Sequence, residues 1–161
     1  MTTGNRQSGI IGPPGPVGQA EMRRPWGISQ TLAPMTDPGG GHHHYRCTQV
    51  TVFAGHELAM QYHSRATKTI TVVAGLGRVE VGVDAIALGA DGISSQFRDT
   101  PIYKWNVYPG TTILVPALCI HRVKCLGKSD ESLVYIEVLR GDGLDGDDTT
   151  LLDDAYGRSS F

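Results

Sequence analysis

The sequence predicts an all-β domain, a sandwich or barrel of short strands, and three observations carry that prediction. Five short segments are rich in Val, Ile and Thr, residues that fit a pleated, half-buried surface. Gly, Pro and Asp separate them at strand-and-turn intervals. No long stretch holds the roughly 3.6-residue apolar period of a helix.

Taken in order, residues 1–20 contain "GIIGPPGPVG", a Gly/Pro-rich run without periodicity. It has too little apolar surface to order itself and reads as a flexible arm. The Gly-X-Y period of a collagen chain is not sustained there. Residues 21–161 read as one domain. Its strands are "TQVTVFAG" (48–55), "TKTITVVAG" (67–75), "GRVEVGV" (77–83), "TTILVPA" (111–117) and "ESLVYIEVL" (131–139). "GGGHHHYR" (39–46) is internal; its adjacent histidines are either solvated on a Gly-rich loop or metal-binding. The stretch 84–104 is too irregular for a strand pair and reads as a long loop, with room for a small hairpin. "DDTTLLDDAYG" carries cap residues and a Gly stop, which predicts a short helix after Asp148.

A chain of 161 residues can bury one core and not two. Lys plus Arg total 14 and Asp plus Glu total 16, a net charge of -2 that offers no general attraction for nucleic acid or anionic membrane. No apolar run approaches the roughly 20 residues of a membrane-spanning helix. The N-terminus lacks the basic-then-apolar pattern of a signal peptide. Cys47, Cys119 and Cys125 are odd in number and lack metal-type spacing. They read as inert thiols, and a cytoplasmic location is expected.

Two spaced patterns carry the chemistry. The first runs Gly55, five residues, Gln61, one residue, His63, four residues, Lys68, six residues, Gly75. The second runs Gly110, five residues, Pro116, four residues, His121. Gln61 and His63 share one face of a strand, because strand side chains alternate. Imidazole nitrogen and amide oxygen are acceptable ligands for zinc or another divalent ion.

These patterns resemble the two motifs of the cupins, whose fold is a double-stranded β-helix, or jelly roll. In that resemblance Gln61, His63 and His121 take metal-ligand positions, and Lys68 stands where the family has a Glu. Leu118 stands where the second motif has its second Gly. A longer set of patches is similar to the type II mannose-6-phosphate isomerases: "RPWG" (24–27), "QYH" (61–63), "PALCIHR" (116–122), "IEV" (136–138), "GDGLDGDD" (141–148) and "DAYGR" (154–158). The resemblance implies aldose–ketose isomerisation of a sugar phosphate, with mannose 6-phosphate and fructose 6-phosphate as the pair. It implies Arg158 as a catalytic residue and Arg46, Arg65 and Tyr156 as substrate-binding residues; Lys68, which departs from the family, is a catalytic candidate as an acid or base. It also implies a small sugar or sugar-phosphate partner and a homodimer formed through the sheets.

Lys68 conflicts with the metal. A unit cation about 4 Å from a divalent ion costs roughly twice the ~4 kcal/mol of two unit charges at an effective dielectric of 20. Arg65 adds a second cation nearby in sequence. Zinc or another divalent metal is therefore expected to bind weakly or not at all, and the pocket to turn toward phosphate or carboxylate. Alternatives stay open: His63 and His121 as core histidines, Lys68 snorkelling to solvent, Arg158 and Arg46 as surface charges, "GDGLDGDD" as a calcium loop or a plain connection. Three functions follow: the isomerase, a non-catalytic cupin that binds a sugar or anion or serves as an accessory or assembly module, and another cupin enzyme with Lys68 as acid or base.

Overall fold

The structure, a computed structural model, describes residues 20–33, 45–85, 99–141, 144, 148–153 and 155–157. The predicted arm up to residue 19, the three histidines and Arg158 lie outside the described residues. The described residues form eleven strands: β1 (Ala20–Arg24), β2 (Gly27–Ala33), β3 (Tyr45–Val52), β4 (Met60–His63), β5 (Thr67–Ala74), β6 (Gly77–Gly82), β7 (Ile102–Val107), β8 (Thr112–Val115), β9 (His121–Cys125), β10 (Leu133–Arg140) and β11 (Thr149–Asp153). They make two antiparallel sheets. One has the order β1-β2-β3-β10-β5-β8 and the other β11-β4-β9-β6-β7.

The core follows from two-residue alternation on the inner faces. On β3, Thr48, Val50 and Val52 are buried; on β5, Lys68, Ile70 and Val72; on β9, His121, Val123 and Cys125. On β10, Leu133, Tyr135 and Leu139 are buried, and Glu137 falls in the same phase. The apolar members form a continuous cluster with Trp26, Val79, Val81, Val107 and Val115. Each fully buried Val, Leu or Ile contributes about 1.5–3 kcal/mol. Four polar residues, Thr48, Lys68, His121 and Glu137, therefore occupy positions that the pattern assigns to the core. That exception is where the site lies.

Two of the sequence-based expectations are corrected. The short helix after Asp148 is instead β11, which pairs with the free edge of β4 through Thr149↔His63, Thr150↔Tyr62 and Leu151↔Gln61. A run of five residues is too short to stabilise a helix alone, and two adjacent threonines favour an edge ladder. The predicted loop 84–104 ends in β7, whose Tyr103, Trp105 and Val107 pair with Val81, Val79 and Gly77. Alternation there is hidden because Tyr103, Lys104, Trp105 and Asn106 are all exposed on an edge strand.

Motif glycines have local causes. Gly75 has φ 82°, and a Cβ there would overlap the Ser132 carbonyl oxygen, so the tight connection from β5 to β6 admits no side chain. Leu118, in the place of the second motif's second Gly, has φ 63°, a left-handed conformation that costs a non-glycine residue about 1–2 kcal/mol. Its amide donates to the His63 carbonyl at 2.8 Å, and its side chain packs on Tyr62, Ile120 and Leu152. Those contacts hold the strained turn.

Candidate functional site

A cavity of about 240 Å³ lies between the sheets, lined by Met22, Arg24, Trp26, Ser29, Thr31, Arg46, Thr48, Val50, Leu58, Gln61, His63, Lys68, Glu137 and Thr149. Strands β1, β2, β3, β5 and β10 supply one wall and β4 and β11 the other. The volume is below the roughly 300–1,000 Å³ of drug-sized pockets, so it suits an occupant about the size of a monosaccharide.

Lys68 does not snorkel to solvent. Its side chain is 4% exposed, and its Nζ lies 3.1 Å from Glu137 Oε2. The strand register brings them together: on the β5–β10 ladder Glu137 faces Ile70 and Leu139 faces Lys68, so both chains point inward two residues apart. Glu137 was given no role at the level of sequence, although "IEV" was among the matching patches. The available signal was its phase, since Glu137 follows Leu133 and Tyr135 at two-residue spacing in "ESLVYIEVL".

His63 and His121 lie side by side on neighbouring strands, ring centroids 5.3 Å apart. Gln61 pairs in register with His121. Burial foremost, and then the Lys68 charge, push the His63 imidazole down to about 3; Arg46 acts in the same direction and Asp148 against it. Burial, followed by Lys68, likewise holds His121 well below the ordinary histidine range, against the opposing hydrogen bond to Cys119. Both rings are thus neutral near pH 7. His121 Nδ1–H donates to the Cys119 carbonyl at 3.0 Å, which leaves Nε2 as a bare acceptor. His63 Nδ1 lies 3.3 Å from the Thr149 hydroxyl. The Nε2 atoms of both histidines, and the Tyr135 hydroxyl, are buried without a hydrogen-bond partner among the described residues. Such orphaned groups cost about 1–3 kcal/mol each and call for a ligand or water.

The other predicted residues fall in different places. Arg46 lines the cavity from β3, and Arg24, which was not predicted, lines it from β1. Neither pairs with a carboxylate among the described residues. Arg65 is outside the lining: its guanidinium is 58% exposed and leans 3.6 Å from Asp148 Oδ1. Asp148 also accepts from the backbone amides of Arg65 and Ala66, fastening the β4–β5 turn to the start of β11. Tyr156 is not among the lining residues either. Its hydroxyl meets His56 Nδ1 at 2.8 Å, and the two rings stack with centroids 5.9 Å apart. His121 is fully buried and is not among the cavity-lining residues.

A divalent ion needs three or more protein donors around it. Among the described residues no three His, Cys, Asp or Glu side chains converge. The two imidazoles have lone pairs to offer, but Lys68 sets a cation against them and already occupies Glu137. The donor set as it stands does not fit a divalent ion. Of the charged lining residues among those described, Arg24, Arg46 and Lys68 are cationic and Glu137 is anionic, a balance that favours an anion.

No protein-family profile matches the chain, and no curated protein does. Solved structures do. The capsular polysaccharide assembling protein CapF from Staphylococcus aureus superimposes with a TM-score of 0.63 at 15% identity, over 85% of this chain and 32% of that one. Oxalate decarboxylase of Bacillus subtilis, a protein with Mn(II) centres, gives 0.59 at 21% identity, over 83% and 30%. Oxalate oxidase in complex with the substrate analogue glycolate gives 0.51 at 17% identity, over 67% and 46%. These are cupin-fold proteins. The fold is the cupin jelly roll. The chain spans about a third of the length of the CapF and oxalate decarboxylase chains it matches. No helix among the described residues is long and apolar enough to cross a membrane.

Proposed function

We propose that this cupin takes a small, anionic, polyhydroxylated ligand, a sugar phosphate or sugar acid, in the cavity between its sheets without a divalent ion. The observation that carries the reading is the lining: Arg24, Arg46 and Lys68 against one carboxylate in about 240 Å³. Guanidinium groups hold phosphate or carboxylate by paired hydrogen bonds. Ser29, Thr31, Thr48 and Gln61 supply partners for hydroxyl groups. The six sequence patches that resemble the type II mannose-6-phosphate isomerases support a sugar phosphate as the occupant.

Calorimetric titration with mannose 6-phosphate in EDTA tests this reading. Binding is expected in the metal-free protein, and Arg46→Met is expected to weaken it at least tenfold, the loss of about 1.4 kcal/mol or more that one charge-assisted contact supplies. Binding that appears only when zinc is added would overturn the metal-free part.

A second reading, a metal-dependent isomerase, rests on the two orphaned Nε2 atoms, which are the groups a metal would engage. It requires Lys68 to swing away from them. Tight, stoichiometric zinc in the unmodified protein, unchanged in Lys68→Glu, would favour it.

A further inference from the structure

We propose that the cavity takes a linear sugar acid with an acidic group at each end, a six-carbon sugar diacid, held by Arg46 at one end and by Arg24 at the other. The inference rests on the cavity reading above and adds to it a second anionic subsite, carried by the β1–β2 hairpin.

Strand register separates the two arginines. Arg24 pairs with Gly27, and Gly27 pairs with Val52, so Arg24 lies level with the end of β3. Arg46 lies near the start of the same strand, six positions earlier, as 52 less 46 gives. Six residues of strand rise about 20 Å, and the two steps from β1 across β2 to β3 add about 10 Å sideways. Strand side chains stand roughly perpendicular to their sheet, so most of that separation carries over to the guanidinium groups. One carboxylate or phosphate, with hydrogen bonds of about 2.7–2.9 Å, does not span it. A six-carbon diacid is five C–C bonds of about 1.5 Å long, and it bridges the gap once each long arginine side chain leans in to meet it.

Between the arginines the inner face carries hydroxyls. Ser29 is level with Val50 and Thr31 with Thr48, and all four line the cavity. Ser29 Oγ donates to the Met22 carbonyl at 3.5 Å, which leaves its lone pairs to accept. The Thr31 and Thr48 hydroxyls can donate or accept. A polyhydroxylated chain laid along this row finds polar partners that an apolar diacid of the same length cannot use. The charges agree with a dianion. Lys68 Nζ is held 3.1 Å from Glu137, so that pair is neutral as a unit. The net charge of the described lining therefore rests on Arg24 and Arg46, neither of which pairs with a carboxylate among the described residues. One cation at each end of the row matches one anion at each end of the ligand.

Calorimetric titration of the full chain in EDTA compares glucarate, with a carboxylate at each end, gluconate, with one, and glucitol, with none. Glucarate is expected to bind about tenfold or more tighter than gluconate, and glucitol more weakly than either. Arg24→Met is expected to bring glucarate down to the affinity of gluconate, while gluconate, which keeps the Arg46 end, is nearly unchanged. Arg24→Lys keeps the charge and should retain part of the glucarate preference. Arg23→Met removes the same charge from the neighbouring residue of β1, whose side chain is 78% exposed and lies 3.5 Å from Glu21, and should leave glucarate binding unchanged. Circular dichroism checks that each variant folds. Gluconate binding as tightly as glucarate, a glucarate preference that survives Arg24→Met, or an equal loss in Arg23→Met overturns the second subsite and leaves the single-anion reading standing. No binding of glucarate, gluconate or mannose 6-phosphate overturns both.

Discussion

Lys68 and Glu137 shape the site because each stands on an inward strand position that would otherwise be apolar. A buried lysine without a partner is costly, and removing one end of a buried pair destabilises by about 3–5 kcal/mol. The 3.1 Å contact is therefore a condition of folding as well as a feature of the cavity. The histidines beside it make the fold acid-sensitive. Both have native pKa values lowered by burial and by Lys68, His63 to about 3. Unfolded, each would titrate near 6.5. Below that value the unfolded chain binds protons that the folded chain refuses, so stability is full above about pH 6.5 and falls as pH drops toward 3. The slope approaches about 1.4 kcal/mol per pH unit for each histidine. Urea midpoints in EDTA should decline from pH 7 through 6 to 5. A midpoint flat across that range would show that both imidazoles accept protons inside the fold.

At the scale of elements, the segment that closes the second wall depends on one carboxylate. β11 adds a strand beside β4 and brings Thr149 to the cavity, and Asp148 anchors its start by accepting from the amides of Arg65 and Ala66. Asp148→Ala leaves two backbone donors of a tight turn unmet, and a loss of about 2–3 kcal/mol is expected. Asp148→Asn keeps one acceptor oxygen and should lose less. Chemical denaturation of the two variants checks this, and equal stability of Asp148→Ala and the unmodified chain would show that water replaces the clamp fully. Loss of the clamp should also weaken ligand binding, because Gln61 and His63 lie on the strand that β11 covers.

For the whole molecule, each sheet ends in a strand, β7 or β8, that pairs on one side only among the described residues. β7 ends one sheet, and its Tyr103 and Trp105 are opposite the core residues Val81 and Val79 yet 53% and 43% exposed, their rings 5.3 Å apart. Leu114, on the edge strand β8 of the other sheet, is 63% exposed. Exposed apolar residues on strands at a sheet edge favour association with a further chain. A homodimer through this edge is the expected outcome, measured by sedimentation over a range of concentrations, with Trp105→Lys shifting the protein to monomer. A unmodified chain that stays monomeric throughout would remove the expectation.

The sequence by itself determined the fold class and half of the site. Short Val/Ile/Thr segments between turn residues specify a two-sheet β domain, and the spacing of Gln61, His63, Lys68 and His121 marks them as one neighbourhood, because strand alternation and turn glycines are local properties of the chain. Five strand segments were legible, and motif spacing put Gln61 and His63 on a sixth; β1, β2, β7, β9 and β11 were not, and of these β1, β7 and β11 are edge strands, which lack the alternation that a buried face imposes. What only the tertiary structure decided is which distant residues meet. Glu137 reaches Lys68 across a ladder 69 positions apart in sequence, as 137 less 68 gives. Arg24 joins Arg46 in the lining, while Arg65 and Tyr156, near the site by pattern, turn to Asp148 and His56 instead. Charge pairing is a through-space quantity: a lysine at a metal-ligand position reads from the sequence as an unmatched charge, and acquires its meaning only from the carboxylate that the register of another strand sets beside it.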